Sequence, residues 1–172
     1  RVLKNGQIVP NIWAVGDVTG KLMLAHTAAA QGTIAVENIC GNPKDIDYRT
    51  IPAATFTHPE ISSVGLSEEE AKENSLKESF ELGIVRSYFK ANSKALAELE
   101  SDGMLKLLFN KDSGTVLGAH IFGLHAADLI QEIANAISRK QDVKQLSSEV
   151  HTHPTLSEVV EVAYKQAAAQ IK

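Results

Sequence analysis

At 172 residues the chain has room for one solid domain, or for one domain and part of another. Its 44% hydrophobic and 22% charged residues are the balance of an ordinary globular protein, and no apolar run of about 18 residues offers a membrane-spanning helix. A formal charge of −4, with no Lys/Arg cluster to override it, argues against nucleic acid as a partner.

The chain opens at Arg1 with no signal-peptide pattern and runs almost at once into strand-like sequence, which reads as a cut inside a longer protein or a processed terminus. After a turn at Lys4-Asn5-Gly6, Asn11-Ile12-Trp13-Ala14-Val15 reads as a short strand stopped by Gly16-Asp17. Residues 22–40 are helical in character and apolar nearly all the way round, the pattern of a helix buried on several sides. Gly32 inside it costs roughly 1 kcal/mol against Ala, and close backbone packing is the expected reason. Asn42-Pro43 ends it. Cys40 is the sole cysteine, so no intrachain disulfide can form; an inert buried thiol is expected, a reactive one being the alternative.

A boundary falls near residues 42–50, dividing the chain into 1–48 and 49–172. Beyond it, residues 53–56 and 61–65 read as short strands. Ser67-Glu68-Glu69-Glu70 then opens a helix with an N-cap and an acidic first turn. Residues 80–89, 103–110 and 115–123 are strand candidates, the last two joined by the hairpin turn Lys111-Asp112-Ser113-Gly114. Two amphipathic helices follow, one with its apolar stripe at 126, 129, 130, 133, 134 and 137, the other at 156, 160, 163, 167 and 171. The second unit is therefore α+β: an antiparallel sheet with flanking helices.

Three stretches invite a chemical reading. The first is Trp13-Ala14-Val15-Gly16-Asp17, then Gly20 and Met23-Leu24-Ala25-His26. It places a carboxylate beside a helix N-terminus, where free N–H groups and the positive dipole end favour an electron-rich ligand; a plain strand–turn–helix connection is the alternative. The second is His151-Thr152-His153-Pro154-Thr155-Leu156-Ser157-Glu158. Two histidines two apart on an extended segment would face the same way, which suggests a metal with Glu158 as third ligand, but no further Cys or carboxylate sits at ligand spacing and no metal is expected. Thr155 and Glu158 have the spacing of a capping box for the last helix. Glu158 could equally orient the His153 imidazole as a general base. The sharp turn makes His153-Pro154 a candidate cis bond. The third, Thr57-His58-Pro59-Glu60-Ile61-Ser62-Ser63-Val64-Gly65, reads as two strands around a turn, with no chemistry of its own.

In this order the three stretches resemble the flavoprotein pyridine nucleotide–disulfide oxidoreductases, and the dihydrolipoamide dehydrogenase branch most closely. That family has an Ala-Ile/Val-Gly-Asp strand end followed six residues on by Met-Leu-Ala-His, here Asp17 and Met23 to His26. Its interface domain opens with Thr-x-Pro-Glu, here Thr57 to Glu60, and closes with His-x-His-Pro-Thr-x-x-Glu, here His151 to Glu158. The resemblance implies that 1–48 ends an FAD-binding domain and that 49–172 is a dimerisation domain. It implies FAD contacts at Asp17, Met23, Leu24, Ala25 and His26, and a catalytic acid/base pair at His153 and Glu158. Mercuric reductases carry Tyr where this chain has His153 and end in a cysteine pair; glutathione reductases are the runner-up.

The sequence holds neither a Gly-x-Gly-x-x-Gly fingerprint nor a Cys-x-x-x-x-Cys pair, so the resemblance places the redox disulfide and the NAD domain upstream. The isolated piece is then expected to be inactive, or a dimerisation module only. In the intact enzyme the implied reaction oxidises a protein-bound dihydrolipoyl group with NAD, through a disulfide and FAD. The implied partners are a second copy of the chain and a lipoyl-bearing acyltransferase or glycine-cleavage H-type protein. The implied location is the cytoplasm of a bacterium or an organelle matrix. A thiol of pKa about 8.5 is mostly protonated at neutral pH, and a free imidazole of pKa about 6.5 can take its proton.

Overall fold

The structure, a computed structural model, describes residues 1–171 and falls into two compact units, Arg1–Tyr48 and the remainder from Arg49 onward. In the first, the hairpin β1 (Leu3–Lys4) and β2 (Gln7–Ile8) precedes an extended stretch, a 3-10 turn at Asp17–Thr19 and helix α1 (Ala25–Ile39). The strand expected at 11–15 is not one. Its described backbone contact, Val2 N–H to Ile12 O at 3.2 Å, is too little for a ladder, and an extended chain without a neighbour forms no sheet. Helix α1 starts three residues later than the composition suggested, because Leu24 is extended (φ −132°, ψ 140°) and its N–H turns back to Leu22 O at 3.0 Å.

The expected burial of α1 on several sides is also corrected. Only Thr27, Gln31 and Ala35 are buried, one i, i+4, i+8 stripe, while Val36 and Ile39 are exposed. One helix and a hairpin cannot cover the other faces. For the same reason nothing lies within 4 Å of where a Cβ on Gly32 would stand, so the close packing expected there is absent, and Cys40 is exposed rather than buried.

The second unit is built on a five-stranded antiparallel sheet, ordered β3 (Ala53–Thr55), β4 (Glu60–Gly65), β7 (Val116–Gly123), β6 (Met104–Asn110) and β5 (Leu82–Tyr88). Alternate residues of these strands, Val64, Ala119, Ile121, Leu105, Leu107 and Val85, face α4 (Ala126–Ser138) and α6 (Glu158–Ala168) and make the core with Ile130, Ile133, Val160, Ala163 and Tyr164. The opposite face carries Arg86, Lys106 and His120 side by side in register across β5, β6 and β7. Helix α2 (Glu68–Glu78) lies there, and Glu68 meets Lys106 at 3.2 Å and Arg86 at 3.7 Å. Hydrogen bonds from Lys72 and Lys106 bring the Glu68 carboxyl down to about 2. Two short helices, α3 (Ser93–Ala97) and α5 (Val143–Leu146), were not anticipated; their capping residues, Asn92 and Asp142, are the signals that would have found them.

The Thr57–Gly65 stretch holds the sheet to its helix. The Glu60 carboxylate accepts the Ala127 N–H at 2.9 Å, satisfying the N-terminus of α4, whose own N-cap His125 makes no side-chain cap. Ser62 Oγ donates to Ala126 O at 2.6 Å. Gly65 sits at φ +74°, and a Cβ there would stand 2.3 Å from Leu117 O. Gly65→Ala should therefore cost about 1–2 kcal/mol from the left-handed backbone alone, with the clash added, and a lowered urea midpoint of the purified protein would register it.

Candidate active site

The His151–Glu158 segment crosses from α5 to α6 as a turn with a cis His153–Pro154 bond, as expected from the sequence. Thr155 Oγ1 donates to Thr152 O at 2.7 Å and closes it. Helix α6 begins at Glu158, and its carboxylate divides its two oxygens between two partners. Oε2 accepts the Thr155 N–H at 2.9 Å, and Oε1 lies 2.9 Å from His153 Nδ1. The capping-box reading is thus half realised: the glutamate bonds back to the Thr155 backbone, but the N-cap is Ser157 and no side chain caps the helix. Both bonds hold the Glu158 carboxyl below the usual carboxylate range, the Thr155 N–H contributing most, with partial burial opposing.

The His153 side chain is 70% exposed. With Nδ1 committed to Glu158, Nε2 is the nitrogen left for proton exchange with a bound group. His153 and Glu158 line a cleft of about 310 Å³ with Tyr88, Asn92, Val162 and Gln166. His151 does not share their direction. Its side chain is 8% exposed and its Nε2 lies 3.0 Å from Glu132 Oε1 on α4, so the same-face expectation for the two histidines fails. The segment is not a strand, so the two-residue alternation of an extended strand does not hold for it. Burial raises the Glu132 carboxyl, against the hydrogen bond from His151. No group of three metal-binding side chains occurs among the described residues.

Two polar residues around this segment escaped the sequence reading. Glu132 is on the flank of an amphipathic helix, where a carboxylate is unremarked. Asn92, 6% exposed, caps α3 through Oδ1 on the Ala95 N–H and donates Nδ2 to Thr155 O, both at 2.9 Å. The Asn-Ser-x-Ala pattern of a helix start was the available signal for Asn92.

In the first unit, Asp17, Met23, Ala25 and His26 are exposed and Leu24 is half-buried. Gln31, buried on α1, holds the turn before Asp17: its Oε1 accepts the Gly16 N–H at 2.6 Å and its Nε2 donates to the Tyr48 hydroxyl at 3.0 Å. Helix α1 has no side-chain cap. An uncapped helix N-terminus near an exposed carboxylate fits a group with an electron-rich ring edge and sugar hydroxyls, as FAD has.

Residues 51–164 match the family described as pyridine nucleotide-disulphide oxidoreductase, dimerisation domain. The chain is 59% identical, over 97% of its length, to a dihydrolipoyl dehydrogenase of Synechocystis sp., of which it covers 35%. It is 52% identical over 95% of its length to the chloroplastic dihydrolipoyl dehydrogenase 2 of Arabidopsis thaliana, covering 29% of that protein. The crystal structure of LpdA from Mycobacterium tuberculosis superimposes on 90% of the chain with a TM-score of 0.80 at 30% identity, the chain covering 33% of it. The chain spans about a third of the length of the relatives it matches.

Proposed function

The chain belongs to the pyridine nucleotide-disulphide oxidoreductase dimerisation-domain family, and from that premise we propose that it is the C-terminal part of a dihydrolipoyl dehydrogenase. Residues 1–48 would then end the FAD-binding domain and residues 49–172 form the subunit interface. The observation that carries the reading is an exposed imidazole held through Nδ1 by a helix-borne carboxylate. In the proposed reaction a dihydrolipoyl dithiol becomes a disulfide and NAD⁺ becomes NADH, with one proton released. His153 Nε2 takes the thiol proton as the sulfur attacks the redox disulfide, and Glu158 stabilises the imidazolium that results. FAD, when bound, carries the electron pair from the dithiol side to NAD. Asp17 and the Met23–His26 turn would hold it, while NAD and the disulfide would be held outside these 172 residues.

The partner reading follows from the same premise. The exposed face of His153 would meet the disulfide of a second subunit, so the working unit is a homodimer. Its substrate would be a lipoyl-bearing acyltransferase or a glycine-cleavage H-type protein. No helix among the described residues is long and apolar enough to cross a membrane. A bacterial cytoplasm or an organelle matrix is the proposed setting, supported by relatives from a cyanobacterium and a chloroplast. The full-length protein should purify yellow, sediment as a dimer and reduce NAD with dihydrolipoamide but not with glutathione. A colourless protein, or one that prefers glutathione, would overturn the proposal.

A further inference from the structure

We propose that Asn92 is a positioning residue for this site: its amide grips Thr155, and through Thr155 it fixes Glu158 and the His153 imidazole. The inference rests on the catalytic reading of His153. Thr155 is bonded on both sides. Its N–H goes to Glu158 Oε2, and its carbonyl takes the Asn92 Nδ2 proton at 2.9 Å across 63 residues of sequence. The orientation of the Asn92 amide follows from its neighbours, because the Ala95 N–H can only donate and the Thr155 carbonyl can only accept. At 6% exposure, water is a poor substitute for either bond. The bonds of Thr155 Oγ1, to Thr152 O and Ser157 Oγ, are internal to the turn, and the one other side-chain tie described for it, His151 Nε2 to Glu132 Oε1, holds its start to α4 rather than Thr155. Asn92 instead ties Thr155 to the start of α3, and Asn92, Ser93 and Tyr88 line the same cleft as His153.

The two functions of Asn92 can be separated. Ser and Asp both offer an oxygen to the Ala95 N–H; Asp has no proton to give Thr155 O, and the Ser hydroxyl stops one bond short of the position of Nδ2. In the full-length flavoenzyme, Asn92→Ser should slow reduction by dihydrolipoamide about ten-fold, and Asn92→Asp more, because a carboxylate would then face a carbonyl. Re-oxidation by NAD should stay near wild type, and the loss should appear in kcat rather than in the KM for NAD; the melting temperature should fall, more for Asp than for Ser, because a part-buried carbonyl loses its donor. Added to His153→Gln, Asn92→Ser should cause no further loss. Wild-type dithiol rates in both variants would overturn the inference. So would equal losses in the two half-reactions, or losses that add to those of His153→Gln, since either would leave Asn92 a structural role only. If His153→Gln itself kept wild-type dithiol turnover, the catalytic reading would fall, and this inference with it.

Discussion

His153→Gln in the full-length protein is expected to lower turnover with dihydrolipoamide by about 10²–10⁴, the usual contribution of a positioned general base. The defect should be confined to the dithiol half-reaction. Stopped-flow mixing with dihydrolipoamide should show slow flavin reduction, while the pre-reduced enzyme should pass electrons to NAD at the normal rate. The side chain is largely exposed and its hydrogen bond is to one carboxylate, so the melting temperature should hardly move. Normal flavin reduction would remove His153 from the proton-transfer step.

Glu158→Gln is the finer test, because the two oxygens of Glu158 do different things. Gln has one oxygen and one NH₂. With its oxygen on the Thr155 N–H it would turn the NH₂ toward His153 Nδ1, which must then accept. That selects the tautomer with its proton on Nε2, a donor where a base is needed. Turnover should fall ten-fold or more, on the order of 1.4 kcal/mol in the barrier, although the backbone bond survives. A carboxyl held below its usual range is fully ionised above that range, so the wild-type pair is intact at neutral pH and loses its anion only as the pH falls through the depressed value. Undiminished activity of Glu158→Gln at pH 7 with saturating substrate would leave Glu158 as a backbone anchor alone.

Most of the sheet unit was legible from the sequence, because its long helices and most of its strands bury one face more than the other. The alternation in residues 82–88 and 104–110 and the 3.6-residue stripe through Ile130 and Ile133 are consequences of that one-sided burial. The first unit was harder to read for the converse reason. An all-round apolar helix and the 11–15 segment are sequences suited to neighbours on several sides, and within these 48 residues α1 has one buried stripe and 11–15 joins no ladder. The site was half legible. Spacing put His153 and Glu158 within reach of one another, but Asn92 lies 63 residues from the carbonyl it holds, and no local pattern carries such a pairing. Glu60 was passed over likewise, since its partner is 67 residues away.

The pairing of β4 with β7 has a consequence for how the chain comes together. Glu60 lies opposite Gly123, so more than half of the sheet unit must be synthesised before the third strand of the order can close on the second. Until then β3 and β4 are a bare two-stranded ribbon, a form marginal on its own in water. Helix α4 gains its N-terminal partner, Glu60, only when that closure occurs. The β5–β6–β7 meander can assemble from neighbours in sequence, whereas the β4 edge waits for a long loop to be closed, with its entropy paid first. On the ribosome, with synthesis running from the N-terminal side, α6 emerges after all five strands of the sheet it packs on. The residues proposed to do its chemistry, His153 and Glu158, are thus made after the strands that support them.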